Sequence, residues 1–511
     1  MRYALKRLST LCCLLICLAA ASTAMAAVKA NALFSDGCVL QQGMPVPVWG
    51  WADEGEKVTV EFQGQKVTAT TAGGKWMVTL KELKVGGPFE MTISGSNTIT
   101  LKNILVGEVW LCSGQSNMQW AMNQTANAKA DIAAANYPKI RLFSVPRLSK
   151  DKPQTDVKGE WKECSPESVK DFSAVGYFFG RALQMARQGV PVGLINSSYG
   201  GTPSEAWTSD DVVKNDPSFA GVRERYAKAL AAFPEANAKW EAAMEKHKET
   251  VAKAKEEGKP APAAPGRPMG PGHQSSPSGL YNAMIAPLVP YALRGSIWYQ
   301  GEANAGRAYE YRSIFPAMIQ DWRKAWNSEM TFLFVQLAPF APPAAGTWPE
   351  LREAQLLTLK LPKTGQAVIT DVGEEKDIHP KQKRPVGERL ALAARAIAYG
   401  EKIDYSGPVY SAMKVKGDKI ELSFDHVGGG LVAKDGKLKG FTIAGADQKF
   451  VPAEAEIKGK KVIVSSSSVA QPVAVRFGWE NWPVLNFWNK AGLPATPFRT
   501  DDFPMVTAPK K

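Results

Sequence analysis

Apolar and polar residues alternate along the first part of this chain and then stop alternating. From Ala27 to about Ile104, the runs Val46-Pro-Val-Trp-Gly-Trp, Lys57-Val-Thr-Val-Glu-Phe, Lys66-Val-Thr-Ala-Thr and Phe89-Glu-Met-Thr-Ile put every second side chain on one face, between Gly, Asp and Pro turns. A period of two predicts strands with one buried face, hence a small β-sandwich-like region over 27–104. From about Leu105 the apolar residues come in short unbroken runs: Val109-Trp-Leu-Cys, Val192-Gly-Leu-Ile-Asn, Ser296-Ile-Trp-Tyr and Thr331-Phe-Leu-Phe-Val. Strands of this kind are buried on both faces. Between them, the stretches starting at Phe172 and Pro385 have helical spacing, with Ser173 and Pro385 at the helix starts. Strand and helix in alternation predict an α/β sheet with crossover helices over 105–402.

Two further segments complete the pattern. Residues 215–277 read as an Ala/Lys/Glu-rich helix pair followed by Pro260-Ala-Pro-Ala-Ala-Pro-Gly-Arg-Pro, an inserted arm with little apolar surface to bury, either a lid or a spacer. Alternation returns from about Ile403, as in Lys419-Ile-Glu-Leu-Ser-Phe and Lys461-Val-Ile-Val-Ser, and predicts a β-rich region over 403–511. No internal repeat is evident.

The amino terminus changes this picture. Arg2, Lys6 and Arg7 precede an apolar run from Leu11 to Ala21 and the small-x-small segment Ala24-Met25-Ala26, which predicts a cleavable signal peptide over 1–26 and a secreted or periplasmic protein. No later stretch approaches the roughly 20 apolar residues of a membrane span, so no anchor is expected in the mature chain. Cys12, Cys13 and Cys17 fall inside the signal, which leaves Cys38, Cys112 and Cys164 and at most one disulfide. Their spacing gives no zinc pattern, and neither a metal nor any other cofactor is expected. The net charge is +13, three of those charges lying in the signal. Such an excess favours anionic partners. Because the lysines sit in the arm and the C-terminal region without arginine-rich, aromatic-laced stretches, nucleic acid is not an expected partner.

The densest chemistry lies at the strand ends. Gly114-Gln115-Ser116-Asn117-Met118 follows the strand Val109–Cys112 and leads into a helix, which presents Ser116 at the edge where open α/β sheets bind ligands. A serine there also suits a helix N-cap, so a nucleophile needs a base to accompany it. The histidines are His247, in the charged arm; His273, in a Pro/Gly loop; His426, beside a Gly-Gly-Gly turn; and His379, in the loop Asp371–Pro380 that follows the strand-like Ala367-Val-Ile-Thr. His379 alone falls at the same edge, with Asp377 two residues earlier to hold its tautomer, and Glu374 or Glu375 as alternative acids. Two more strand ends offer donors for an oxyanion: the backbone of Gly200-Gly201 and the side-chain amide of Gln300. Gln115, Asn117, Glu302 and Trp207, on the same segments, are the candidate substrate-binding residues, and Tyr199, Trp298 and Tyr299 are further rings that can either stack on a sugar or fill the core.

This ordered set resembles the sialate O-acetylesterase family of carbohydrate esterases within the SGNH-hydrolase superfamily. The resemblance rests on Gly-Gln-Ser-Asn-Met at 114–118, Gly-Gly-Thr-Pro-Ser-Glu-Ala-Trp at 200–207, Trp-Tyr-Gln-Gly-Glu at 298–302, Asp-Ile-His-Pro at 377–380 and Gly387-Glu-Arg-Leu. It extends to Gly436-Lys-Leu-Lys-Gly-Phe and Gly492-Leu-Pro-Ala-Thr-Pro-Phe. It implies a three-layer α/β/α hydrolase domain and hydrolysis of O-acetyl esters on sialic acid, with Ser116 as nucleophile, His379 as base, Asp377 as its orienter, and Gly201 or Gly200 with Gln300 as oxyanion donors. The sequence departs from the wider superfamily, which usually has Gly-Asp-Ser at the nucleophile, an Asn in place of Gln300 and two residues between Asp and His. An acetylesterase acting on xylan or pectin, and a non-catalytic carbohydrate-binding protein, are the alternatives.

Overall fold

A computed structural model describes residues 27–341 and 347–509; the expected signal peptide lies outside them. The organising element is a single 17-residue strand, β1 (Thr98–Gly114). Its outer half pairs antiparallel with Gly86–Ser94 and so joins Lys57–Phe62, while Lys75–Leu80 lies in a second, three-stranded sheet with Val46–Trp51; both Lys57–Phe62 and Lys75–Leu80 alternate in burial as expected. From Ile104 onward every residue of β1 is buried, and this inner half is the centre of a parallel sheet. The change in hydropathy at 104–105 therefore marks a change in exposure along one strand, and one continuous apolar core runs from Val28 to Ala394.

Around β1 the sheet is completed by β2 (Tyr137–Ser144), β3 (Trp161–Cys164), β4 (Val192–Ser198), β5 (Gly295–Tyr299), β6 (Thr331–Val335) and β7 (Thr364–Ala367), in the order β3-β2-β4-β1-β5-β6-β7. Strands β2, β4, β1, β5, β6 and β7 run parallel, and β3 is antiparallel at the edge. Because β4 and β5 flank β1 on opposite sides, the loops after these three strands open onto one crevice.

Helices cover both faces. Helix α1 (Ala174–Ala186) starts at Ser173, whose hydroxyl accepts the Gly176 N–H at 3.1 Å, and packs on Cys112 and Leu194. The exposed arm holds α2 (Ala220–Glu256). On the other face, Phe315 of α3 (Ala308–Trp326) stacks on Trp298 and meets Phe332 edge-on. Helix α4 (Arg384–Ile397) crosses α1 so closely that a Cβ on Gly387 would lie 2.6 Å from the Phe179 amide nitrogen. That tight crossing fixes the loop leading into α4, which carries His379.

In the arm the expected helix pair is instead one 37-residue helix, α2. Pro234 lies inside it without ending it; on an exposed helix water can serve the carbonyl that a proline leaves unbonded. The Pro-rich return runs back along the helix, where Trp240 donates to the Pro265 carbonyl at 3.1 Å. No helix of the described residues is long and apolar enough to cross a membrane. The C-terminal strands form a separate all-β unit with its own core, from Ile420 to Phe498. Cys38, Cys112 and Cys164 are buried free thiols.

Candidate active site

The turn after β1 is shaped by Gly114. Its φ of +134° is costly for any other residue, and a Cβ there would stand 2.2 Å from the Tyr299 carbonyl oxygen. Gln115 N–H donates to that carbonyl at 2.9 Å, and the next residue, Ser116, opens a short helix to Gln119. Gly200, after β4, packs so closely that a Cβ on it would lie 3.2 Å from Ser116 Cβ, so a larger residue would crowd Ser116.

Ser116 Oγ lies 2.8 Å from His379 Nε2, although 263 residues separate the two in sequence. On the far side of the ring, Nδ1 is 3.5 Å from Asp377 Oδ1, which also accepts the backbone N–H of His379 at 2.9 Å. The alternative acid Glu374 turns away to accept the Lys381 N–H at 2.8 Å. Trp120 stacks on the imidazole, centroids 4.9 Å apart and planes 18° from parallel. Partial burial, followed by the nearby Lys383 cation, pushes the His379 pKa below its ordinary value, against the opposing pull of Asp377. The neutral form of the ring is thereby favoured. His273 lies instead in the arm's return, with Nδ1 taking the Ser275 N–H, and His426 packs on Tyr405 in the C-terminal unit.

Several residues expected to face substrate are folded inward. Gln115 is 3 % exposed, and its side-chain oxygen accepts the Gly301 and Ala303 N–H groups at 3.4 and 3.2 Å. Asn117 donates to Glu302 at 2.6 Å and to the Ile378 carbonyl at 3.0 Å, and accepts from Lys383. Burial raises the Glu302 carboxyl above the usual range, a rise that Asn117 and Lys383 oppose. Gln300 is fully buried: its amide hydrogens go to the Thr202 carbonyl at 3.2 Å and Asn304 at 2.7 Å, and its oxygen accepts from Tyr311 at 2.9 Å. With both hydrogens committed, Gln300 braces the loop and is not presented to an oxyanion. Trp207 belongs to the core, fully buried and edge-on to Trp298 at 5.9 Å, with no ring face left for a sugar. Trp298 and Tyr299 are fully buried too. Gln115, Asn117 and Gln300 turn inward for a shared reason: loops between buried strands carry backbone polar groups that need partners, and the nearest side-chain amides supply them.

The glycine pair divides. Gly200 N–H donates to the Gln119 side chain at 2.7 Å, beside Ser116, while Gly201 is exposed with φ +72°. The arm reaches this turn through Gln274, which donates to the Gly200 carbonyl at 3.4 Å. Sequence reasoning missed Trp120, Gln119 and Lys383. The first two directly follow the segment that flagged Ser116, but Lys383 lies in the charged run 381–384, which resembles a solvated surface. In the fold it is 1 % exposed, and burial pushes its pKa down to about 7 against the carboxylates of Glu302, Glu374 and Asp377.

Comparison with known proteins fits this geometry. A family profile described as carbohydrate esterase, sialic acid-specific acetylesterase, matches residues 106–253 and 264–396. The sialate O-acetylesterase of Rattus norvegicus is 32% identical, the match covering 88% of this chain and 90% of that protein. The Homo sapiens sialate O-acetylesterase is 31% identical, covering 88% of each. The crystal structure of a carbohydrate acetylesterase from Xanthomonas citri matches with a TM-score of 0.80 and 39% identity over 93% of this chain and all of that one.

Proposed function

We propose, from the premise that this chain belongs to the sialic acid-specific acetylesterase family of carbohydrate esterases, that it removes O-acetyl groups from sialic acid through an acetyl-enzyme on Ser116. The chain is a carboxylic ester hydrolase whose substrate is an acetylated carbohydrate. The observation that carries the proposed chemistry is the 2.8 Å contact of Ser116 Oγ with His379 Nε2.

In this reading the neutral imidazole takes the Ser116 proton as Oγ attacks the acetyl carbonyl carbon. Asp377 holds the Nδ1 side and balances the imidazolium as it forms. The tetrahedral oxyanion takes the Gly200 N–H, which exchanges the Gln119 oxygen for the substrate's. Collapse breaks the ester bond, and the sugar alkoxide leaves with the proton from His379. Water, deprotonated by the same imidazole, then attacks the acetyl-enzyme and releases acetate and free Ser116.

The sugar preference is supported by the rat and human relatives, both named sialate O-acetylesterases. Acetate release from O-acetylated sialic acid and from acetylated xylan, measured side by side, tests it. A higher kcat/KM on xylan overturns the sialate reading and leaves the esterase intact. Residues 1–26 are proposed as a cleaved signal, so the exported protein should begin at Ala27 by N-terminal sequencing.

A further inference from the structure

We propose that Lys383 is a positioning residue of this active site, a buried cation that ties the Ser116 turn to the His379 loop and opposes charging of the imidazole. The inference rests on the Ser116–His379 reading given above.

The geometry converges on Asn117. This residue follows the nucleophile directly, and its amide donates to the carbonyl of Ile378, the residue before the base. The same amide donates to Glu302 after β5, and its oxygen accepts from Lys383 Nζ at the entrance to α4. Three loops are thus held by one side chain, and among the described residues Lys383 is the only charged donor to it. The ammonium also stands 5.5 Å from the Trp120 ring centroid and 5.3 Å from that of Tyr299, and Trp120 is the ring stacked on His379.

The charges around this group come from two directions. Glu302 faces Lys383 from the β5 end, and Glu374 and Asp377 face it from its own loop. Lys381 is exposed and lies 4.0 Å from Glu374, while Arg384 pairs with Asp131. His379 feels Lys383 and Asp377 in opposite senses. Holding a lysine in such a place is expensive: a long apolar side chain would fill the volume without the desolvation penalty. The compensating gain is at the base, where a neighbouring positive charge keeps the imidazole free of a proton at lower pH. A stacked indole and a committed Asn117 keep the ring from rotating away.

The test uses an aryl acetate, so that sugar preference does not enter. Lys383→Met should lower kcat/KM about tenfold, mostly in kcat. The acid limb of the kcat/KM profile should move up by about half a pH unit or more, because imidazole is easier to protonate once the cation is gone. If Lys383→Met fails to fold, Glu302→Gln/Lys383→Met leaves no lone buried charge, and the same upward shift is expected because Lys383 and Asp377 are the charges that act on His379. A folded variant whose acid limb stays where it was, whatever its rate, overturns the proposal. Ser116→Ala in the same assay separates the two ideas: an inactive Ser116→Ala beside an unshifted Lys383→Met sinks the lysine alone, whereas an active Ser116→Ala sinks the nucleophile.

Discussion

The C-terminal edge of the parallel sheet and the arm beside it treat polar residues in opposite ways. At the edge, Gln115, Asn117, Gln300 and Asn304 are nearly inaccessible, and each links two or more loops. Along α2, Val222 is the one buried residue, and the charges pair locally, Lys228 with Glu224, Lys239 with Glu235 and Lys248 with Glu245, all well exposed. Local pairs of this sort screen easily and contribute little. Buried amides bridging loops of distant sequence are different, since losing one strands its partners. Precision at a reacting centre therefore comes from the first kind of polar residue, and a chain can carry many of the second without positioning anything.

Substitutions can break this contrast, beginning where the effect should be greatest. Ser116→Ala should lower kcat on an aryl acetate by about 10⁴-fold or more, with the fold intact by circular dichroism. Asp377→Asn should cost about 10- to 100-fold, less than for a fully buried triad acid, because the carboxylate is partly exposed and 3.5 Å from Nδ1. It should also move the acid limb of kcat/KM down, the sense opposite to Lys383→Met, since Asp377 is the group that favours the imidazolium. In the unaltered protein that limb should fall below the ordinary imidazole value of about 6.5; a limb above it would contradict the environment described for His379. Gly114→Ala should destabilise by about 2 kcal/mol, read as a lower midpoint in denaturant, because both φ and the Tyr299 carbonyl oppose a Cβ. At the small end, Lys239→Ala/Lys248→Ala on α2 should leave kcat/KM within about twofold. A large loss there would give the arm a part in catalysis that its exposed charges do not suggest.

Four of the six parallel strands were legible because two-sided burial writes itself as unbroken apolar runs, and Val109, Val192, Ser296 and Thr331 all head or enter such strands; Tyr137–Ser144, broken by Lys139 and Arg141, was not read, and the strand expected at 367–370 lies at Thr364–Ala367. Ser116 and His379 were legible through their places at strand ends. Burial direction at those ends was not. Asn117, Gln300 and Glu302 are polar residues in glycine-containing loops, and nothing in such a pattern distinguishes a side chain aimed at solvent from one aimed at a neighbouring loop. Trp207 was misread for a related reason: aromatic residues serve sugar platforms and cores equally well, and its neighbours Trp298 and Trp322 are far away in sequence. The arm, expected as a helix pair, is one helix, α2, which passes through Pro234, a breaker that counts for less when the backbone is wet.

The continuity of β1 gives the N-terminal region a mechanical standing. Its seventeen residues run from surface positions at one end to just short of the Ser116 hydroxyl at the other. The strand bulges at Asn103, whose φ is +58°, yet it continues through the bulge, so a module exchanged at residue 104 would be cut through the strand that leads to Ser116. The region from 27 to 104 thus shares its last strand with the parallel sheet, and an exchange of that region would have to join upstream of Thr98.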